Sequence, residues 1–103
     1  MTHATGNGAI GFSLDTSSAS SLSHDVAVDN QHGFIVLASS GSLFSQDVAN
    51  HNEGFGFELY GGSTANTVTH SVAHANPLAD APDFDPPGAN TWVDSSFGTT
   101  SLP

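Results

Sequence analysis

Lysine and arginine are absent from this chain of 103 residues, and so is cysteine. If basic residues make up about 11% of an ordinary chain, drawing none at this length has a chance on the order of 10⁻⁵, so the composition is constrained. Ten Asp and Glu residues then stand against no fixed cation, for a formal charge of −10. Binding to a phosphate backbone relies on cationic side chains, so nucleic acid is excluded as a partner. The same lack disfavours anionic membrane surfaces, and no apolar run approaches the ~20 residues that a membrane helix needs. Without cysteine there are no disulfides, thiolate zinc sites or cysteine nucleophiles. Met1 is followed by Thr2-His3-Ala4-Thr5-Gly6, which has neither a basic n-region nor an apolar h-region, so no signal peptide is expected within these residues.

A repeat of 22 to 24 residues runs along the chain. Gly11-Phe12-Ser13-Leu14 returns as Gly33-Phe34-Ile35-Val36 and as Gly56-Phe57-Glu58-Leu59. Asp25-Val26-Ala27 returns as Asp47-Val48-Ala49 and Ser71-Val72-Ala73. Asn7, Asn30, Asn52 and Asn76 form another series, and Leu22, Phe44, Val68 and Trp92 a further one. Ala65-Asn66-Thr67-Val68 reads against Ala89-Asn90-Thr91-Trp92, which places Phe97 in the column of Ala4, Ala27, Ala49 and Ala73.

Apolar and polar residues alternate over three to five positions between Ser, Gly, Asn and Asp clusters, and few stretches carry apolar residues at helical spacing. Short strands are expected at Phe12 to Leu14, Leu22 to Asp25, Phe34 to Leu37, Phe44 to Asp47, Phe57 to Tyr60 and Thr67 to Ser71. A repeat of this length built from short strands closes as one coil of a solenoid, with equivalent residues stacked about 4.8 Å apart. The Phe, Leu, Ala and Leu22 columns would fill the interior. The Asn series would form an amide ladder at a turn, each Asn bonding to its neighbours above and below.

The pattern Gly-Phe-x-Leu, a Ser-rich turn and Leu-x-x-Asp-x-Ala-x-x-Asn resembles the repeat of right-handed parallel β-helix proteins, the pectate-lyase-like superfamily. Residues Gly88 to Thr99 look like the terminal coil of such a domain. The resemblance implies an all-β, right-handed parallel β-helix (β-solenoid) of about four coils, in an extracellular or cell-surface setting. Residues 1–76 are read as the repeats, with the first coil incomplete, and residues 77–103 as an irregular loop followed by a closing coil. The chain reads as the C-terminal portion of a longer β-helix, or as a short member that associates end to end through its uncapped N-terminal coil.

The family spans lyases, hydrolases, epimerases, adhesins and plain scaffolds, so fold does not give activity. Its lyases use Arg or Lys, which this chain lacks, and its charge would repel polyuronates unless Ca²⁺ bridges them. His24, Asp25 and Asp47, or His51 with Asp29 one coil below, could hold a divalent ion, Ca²⁺ more readily than Zn²⁺. The alternative is that these are solvated positions on the outer face of a strand. Asp25 over Asp47 has the spacing of a glycosidase carboxylate pair, but both are placed by the repeat, which favours a structural role. No catalytic residue is assigned. Phe55 and Tyr60 are candidates for stacking on sugar rings. The expected function is a noncatalytic scaffold or polysaccharide-contacting segment. The alternatives are part of a carbohydrate-active enzyme with its catalytic residues in other coils, and a self-stacking solenoid.

Overall fold

The computed structural model describes residues 3–6, 8–85 and 88–97, and among these there is no helix. Twelve strands follow one another: β1 (His3–Thr5), β2 (Ile10–Asp15), β3 (Ser21–Ser23), β4 (Val26–Val28), β5 (His32–Leu37), β6 (Leu43–Ser45), β7 (Val48–Asn50), β8 (Phe57–Tyr60), β9 (Thr67–Thr69), β10 (Val72–His74), β11 (Thr91–Val93) and β12 (Ser96–Phe97). They stack into three sheets, ordered β1-β4-β7-β10-β12, β3-β6-β9-β11 and β2-β5-β8. Every strand pairing among the described residues is parallel. The protein is an all-β parallel β-solenoid of about four turns.

The register reproduces the columns of the repeat. Phe12 pairs with Phe34 and Phe34 with Phe57, Leu14 with Val36 and Val36 with Leu59. Ala4, Ala27, Ala49, Ala73 and Phe97 form one file, and Leu22, Phe44, Val68 and Trp92 another. Strand spacing brings the Phe rings flat upon one another, at 4.8 Å for Phe12 on Phe34 and 4.7 Å for Phe34 on Phe57, tilted by only 9° and 7°. Phe34, Phe44, Phe57, Leu59, Val36 and Val68 are all buried in the bore. The glycine before each Phe is set by close packing: a Cβ on Gly33 would lie 2.5 Å from the Gly56 carbonyl oxygen and 2.9 Å from the Ala49 Cβ.

Two sequence expectations need correction. The strands expected at Leu22 to Asp25, Phe44 to Asp47 and Thr67 to Ser71 stop at Ser23, Ser45 and Thr69. The chain turns there through His24, Gln46 and His70, whose φ angles of 57°, 58° and 52° lie in the left-handed region and break the pleat. A separate strand then follows each corner, at β4, β7 and β10. Residues 79–83, within the segment expected to be irregular, are a further rung of the β2-β5-β8 face, through bridges from Phe55 to Ala79 and from Leu59 to Asp83. Ala81 thereby continues the Phe column and is fully buried. Asn7, Gly98 and Thr99 lie outside the described residues.

Candidate functional site

The polar residues of the repeat occupy four corners, and at each a side-chain oxygen accepts the backbone N–H of the equivalent residue one coil earlier, except that Asp80 reaches back only four residues to Asn76. Ser39, Ser63 and Asp85 accept from Ser17, Ser39 and Ser63. Ser42, Asn66 and Asn90 accept from Ser20, Ser42 and Asn66. Asp47, Ser71 and Ser95 accept from Asp25, Asp47 and Ser71. Asn52, Asn76 and Asp80 accept from Asn30, Asn52 and Asn76. All these distances fall between 2.9 and 3.2 Å.

The expected Asn ladder is therefore one of four ladders, and its main link is backbone to side chain. Amide to amide contact is secondary, as from Asn52 Nδ2 to Asn76 Oδ1 at 3.0 Å, while the same Nδ2 groups also donate to carbonyls such as Ala27 and Ala49. The sequence signal for the other three ladders was present in the recurrence of Ser, Asn and Asp at the repeat period, but a hydroxyl and a carboxylate in one column do not look equivalent until both are seen to accept the same N–H.

Asp25 and Asp47 belong to one of these ladders. They are not solvated positions on an outer strand face; both point into the corner, with Asp47 fully buried and Asp25 nearly so. Asp47 Oδ1 accepts the Asp25 N–H at 2.9 Å, while its Oδ2 is buried without a hydrogen-bond partner. Burial pushes the Asp47 carboxyl up to about 7; the charge of Asp25 adds to the rise, and the N–H bonds from Asp25 and Ser45 oppose it.

His24 is the next residue to Asp25 but sits on the outside of the left-handed corner, exposed, with Nδ1 2.8 Å from Ser23 Oγ. The structure thus brings Asp25 and Asp47 together and turns His24 away from them. His70 repeats the His24 arrangement against Thr69 Oγ1 and lies 3.8 Å from Asp94. Asp29 and His51 stack in a second exposed left-handed column, with φ of 60° and 57°. Among the described residues, no group of three or more His, Asp or Glu side chains is arranged to hold a metal ion.

Phe55 lies beside the β2-β5-β8 face in the outward column Ile10, His32, Phe55 and Ala79. Its ring stacks on His32 at 5.4 Å and meets Phe84 edge-on at 6.0 Å. His32 Nδ1 accepts the Phe55 N–H at 3.0 Å, which places the neutral ring's proton on Nε2, and burial lowers the pKa of His32. Tyr60, half-buried, is five residues further along at the end of β8, roughly 16 Å away in an extended strand. Between them, Ile35 and the half-buried Glu58 pair across β5 and β8, and burial raises the Glu58 carboxyl. Phe84 and Leu78 are the most exposed apolar residues on this side, at 57% and 65%. Sequence reasoning passed over His32. Its signal was the residue type before each repeat glycine, in Ile10-Gly11, His32-Gly33 and Phe55-Gly56.

The class these features define is the parallel β-solenoid. Comparison with known protein families, with curated proteins and with solved structures finds no match for the chain.

Proposed function

We propose that the chain is a noncatalytic β-solenoid scaffold of the pectate-lyase-like kind, acting outside the cell or at its surface and contacting polysaccharide along the β2-β5-β8 flank. The observation that carries the scaffold reading is where the acids and hydroxyls go. Asp25, Asp47, Asp80, Asp83 and Asp85, half of the ten acidic residues, are buried, and Asp47, Asp80 and Asp85 serve as corner acceptors beside Ser39, Ser42, Ser63, Ser71 and Ser95. An oxygen that holds a backbone N–H inside a corner is not available to a substrate. The contact reading rests on the apolar flank, where Phe55, Phe84 and Tyr60 present aromatic surface in a chain with no cation to grip an anionic ligand. Neutral glycans fit that chemistry better than polyuronates, which the charge of −10 repels.

A glycan array run with and without Ca²⁺ tests the contact. Retention of a neutral glycan that is lost in Phe55→Ala and in Tyr60→Ala, with circular dichroism unchanged, is the expected result. No retention on any sugar would remove the contact role and leave the scaffold alone.

A further inference from the structure

The second and third coils differ by one residue beside the apolar flank. Three steps lead from Asn30 to Gly33 in the second coil, and four from Asn52 to Gly56 in the third. The extra residue makes a bulge, and a bulge leaves one residue off the ladder. Glu53 and Gly54 still donate to the carbonyls of Asn30 and Gln31, at 2.8 and 2.6 Å, and Gly33 donates to the Phe55 carbonyl at 2.9 Å. The Phe55 N–H goes instead to a side chain, His32 Nδ1, at 3.0 Å. The backbone is fitted to this ring. A Cβ on Gly54 would overlap it, and the Phe55 ring stacks on it at 5.4 Å while meeting Phe84 edge-on.

One proton is enough to break this bond. A backbone N–H can only donate, and an imidazolium has donors at both nitrogens, so a proton on Nδ1 sets donor against donor. The rings of His24, His70 and His74 meet the hydroxyls of Ser23, Thr69 and Ser96, which can turn to accept. The acids on the elements around His32 are placed elsewhere. Asp15 is at the far end of β2, Glu53 is exposed on the bulge, and Glu58 lies on β8 three residues beyond Phe55. Asp80 and Asp83 are buried and committed to Asn76, Asn90 and Trp92, while Asp29 and His51 occupy the exposed corner column. Burial alone lowers the pKa of His32, with no charged group contributing.

We propose that His32 is a pH-sensitive latch on this flank. Neutral, it closes the bulge and holds Phe55 against Phe84. When Nδ1 takes a proton from solvent, the ring releases the Phe55 N–H, the stack opens, and the segment from Glu53 to Phe55 loosens while the neighbouring rungs persist. His32 and Phe55 are both half-buried, so water can take over the released N–H.

Amide hydrogen exchange and imidazole nitrogen NMR of the whole chain, from about pH 8 to about pH 4, test it. At neutral pH the His32 ring should be the Nε2–H tautomer; an Nδ1–H ring overturns the proposal. As His32 titrates, with a midpoint below its ordinary 6.5, protection of the Phe55 N–H relative to its intrinsic exchange rate should fall roughly tenfold or more. The Phe57 N–H, bonded to the Asp80 carbonyl on the same face, should keep its protection. Phe55 protection that survives the titration overturns the proposal, as does its loss together with that of Phe57, which is unfolding. A His32 ring still neutral at the acid end overturns it too. In His32→Gln, Oε1 can accept the same N–H and does not titrate, so Phe55 protection should stay flat with pH, while His24→Gln should leave the transition in place. A transition that persists in His32→Gln counts against the latch. These readouts involve no glycan, so the inference stands or falls apart from the contact reading.

Discussion

The first and last described coils are made by the same repeat from different residues. In the first described coil β1, β2 and β3 match the lengths of β4, β5 and β6, and the ring of Phe12 lies flat on Phe34 as in the coils that follow. At the last coil the residues change type. Asp80 stands in the register of Gly56, Gly33 and Gly11 but its carboxylate takes over the acceptor role of the Asn ladder, Asp85 stands where the serines stood, and Asp83 where Leu59, Val36 and Leu14 stood. Asp83 takes an inward apolar position because it serves the two residues that close the end, accepting from Trp92 Nε1 at 3.0 Å and from Asn90 Nδ2. A carboxylate in these places can accept without requiring an acceptor of its own, which an amide cannot. Asp80 therefore receives both the N–H and the Nδ2 of Asn76 without adding an amide donor of its own. Part of the acidic bias of this chain, unexplained by charge alone, has its cause here.

The comparison can be broken by substitution. The largest effect is expected at Gly33→Ala in the middle of the stack, where the new Cβ meets a carbonyl oxygen that cannot move aside; it should cost about 3 kcal/mol in urea unfolding. Gly11→Ala in the first coil, whose nearest contact is the end of the Asn30 side chain at 2.9 Å, should cost about 1 kcal/mol. Equal costs at the two positions would mean that the first coil is packed as tightly as the second.

Next in size is Asp80. Asp80→Ala leaves the Asn76 N–H and Nδ2 without the acceptor that holds them at 2.9 and 2.7 Å, and a loss of about 2 kcal/mol is expected. Asp80→Asn keeps an acceptor at the same place and should recover most of it. If both variants lose the same amount, the carboxylate does something other than accept.

A pH dependence is also expected from the interior of the stack. The Asp47 carboxyl is raised in the folded protein from its ordinary value near 3.8 to about 7, so between these values the folded state binds the proton that the unfolded chain releases. Stability should therefore fall as pH rises from about 4 to about 7 and level off above that. In Asp47→Asn, which retains Oδ1 for the Asp25 N–H, the fall should flatten. Urea midpoints measured from pH 4 to 8 on both proteins check the sign.

The core was legible in the sequence because each inward position recurs: Phe12, Phe34 and Phe57 announce a column by identity, and Leu22, Phe44, Val68 and Trp92 by kind. Three things were not legible. The left-handed corners at His24, Gln46 and His70 use side chains with no turn signature, so the strands were read through them. The rung at residues 79–83 hides its equivalence because Ala81 and Asp83 share neither size nor polarity with Phe57 and Leu59, and Pro77 and Pro82 suggest a loop. The direction of Asp25 and Asp47 could not be read either, since a carboxylate beside a strand is ordinarily solvated and only the N–H it accepts shows that it points inward. Of the candidate contact residues, Phe55 was visible as an aromatic, whereas the His32 ring beneath it depends on a pairing one coil away.

The corner rule also has a direction in time. Each donor precedes its acceptor in the chain by 22 to 24 residues at three corners, and by as few as four where Asp80 follows Asn76. On a ribosome, where the amino terminus emerges first, every coil would be synthesised before the side chains that complete it. A nascent chain paused after residue 76 would hold the N–H groups of Ser63, Asn66, Ser71 and Asn76 with their acceptors Asp85, Asn90, Ser95 and Asp80 still unmade. The third coil is finished only when the last of these oxygens leaves the exit tunnel.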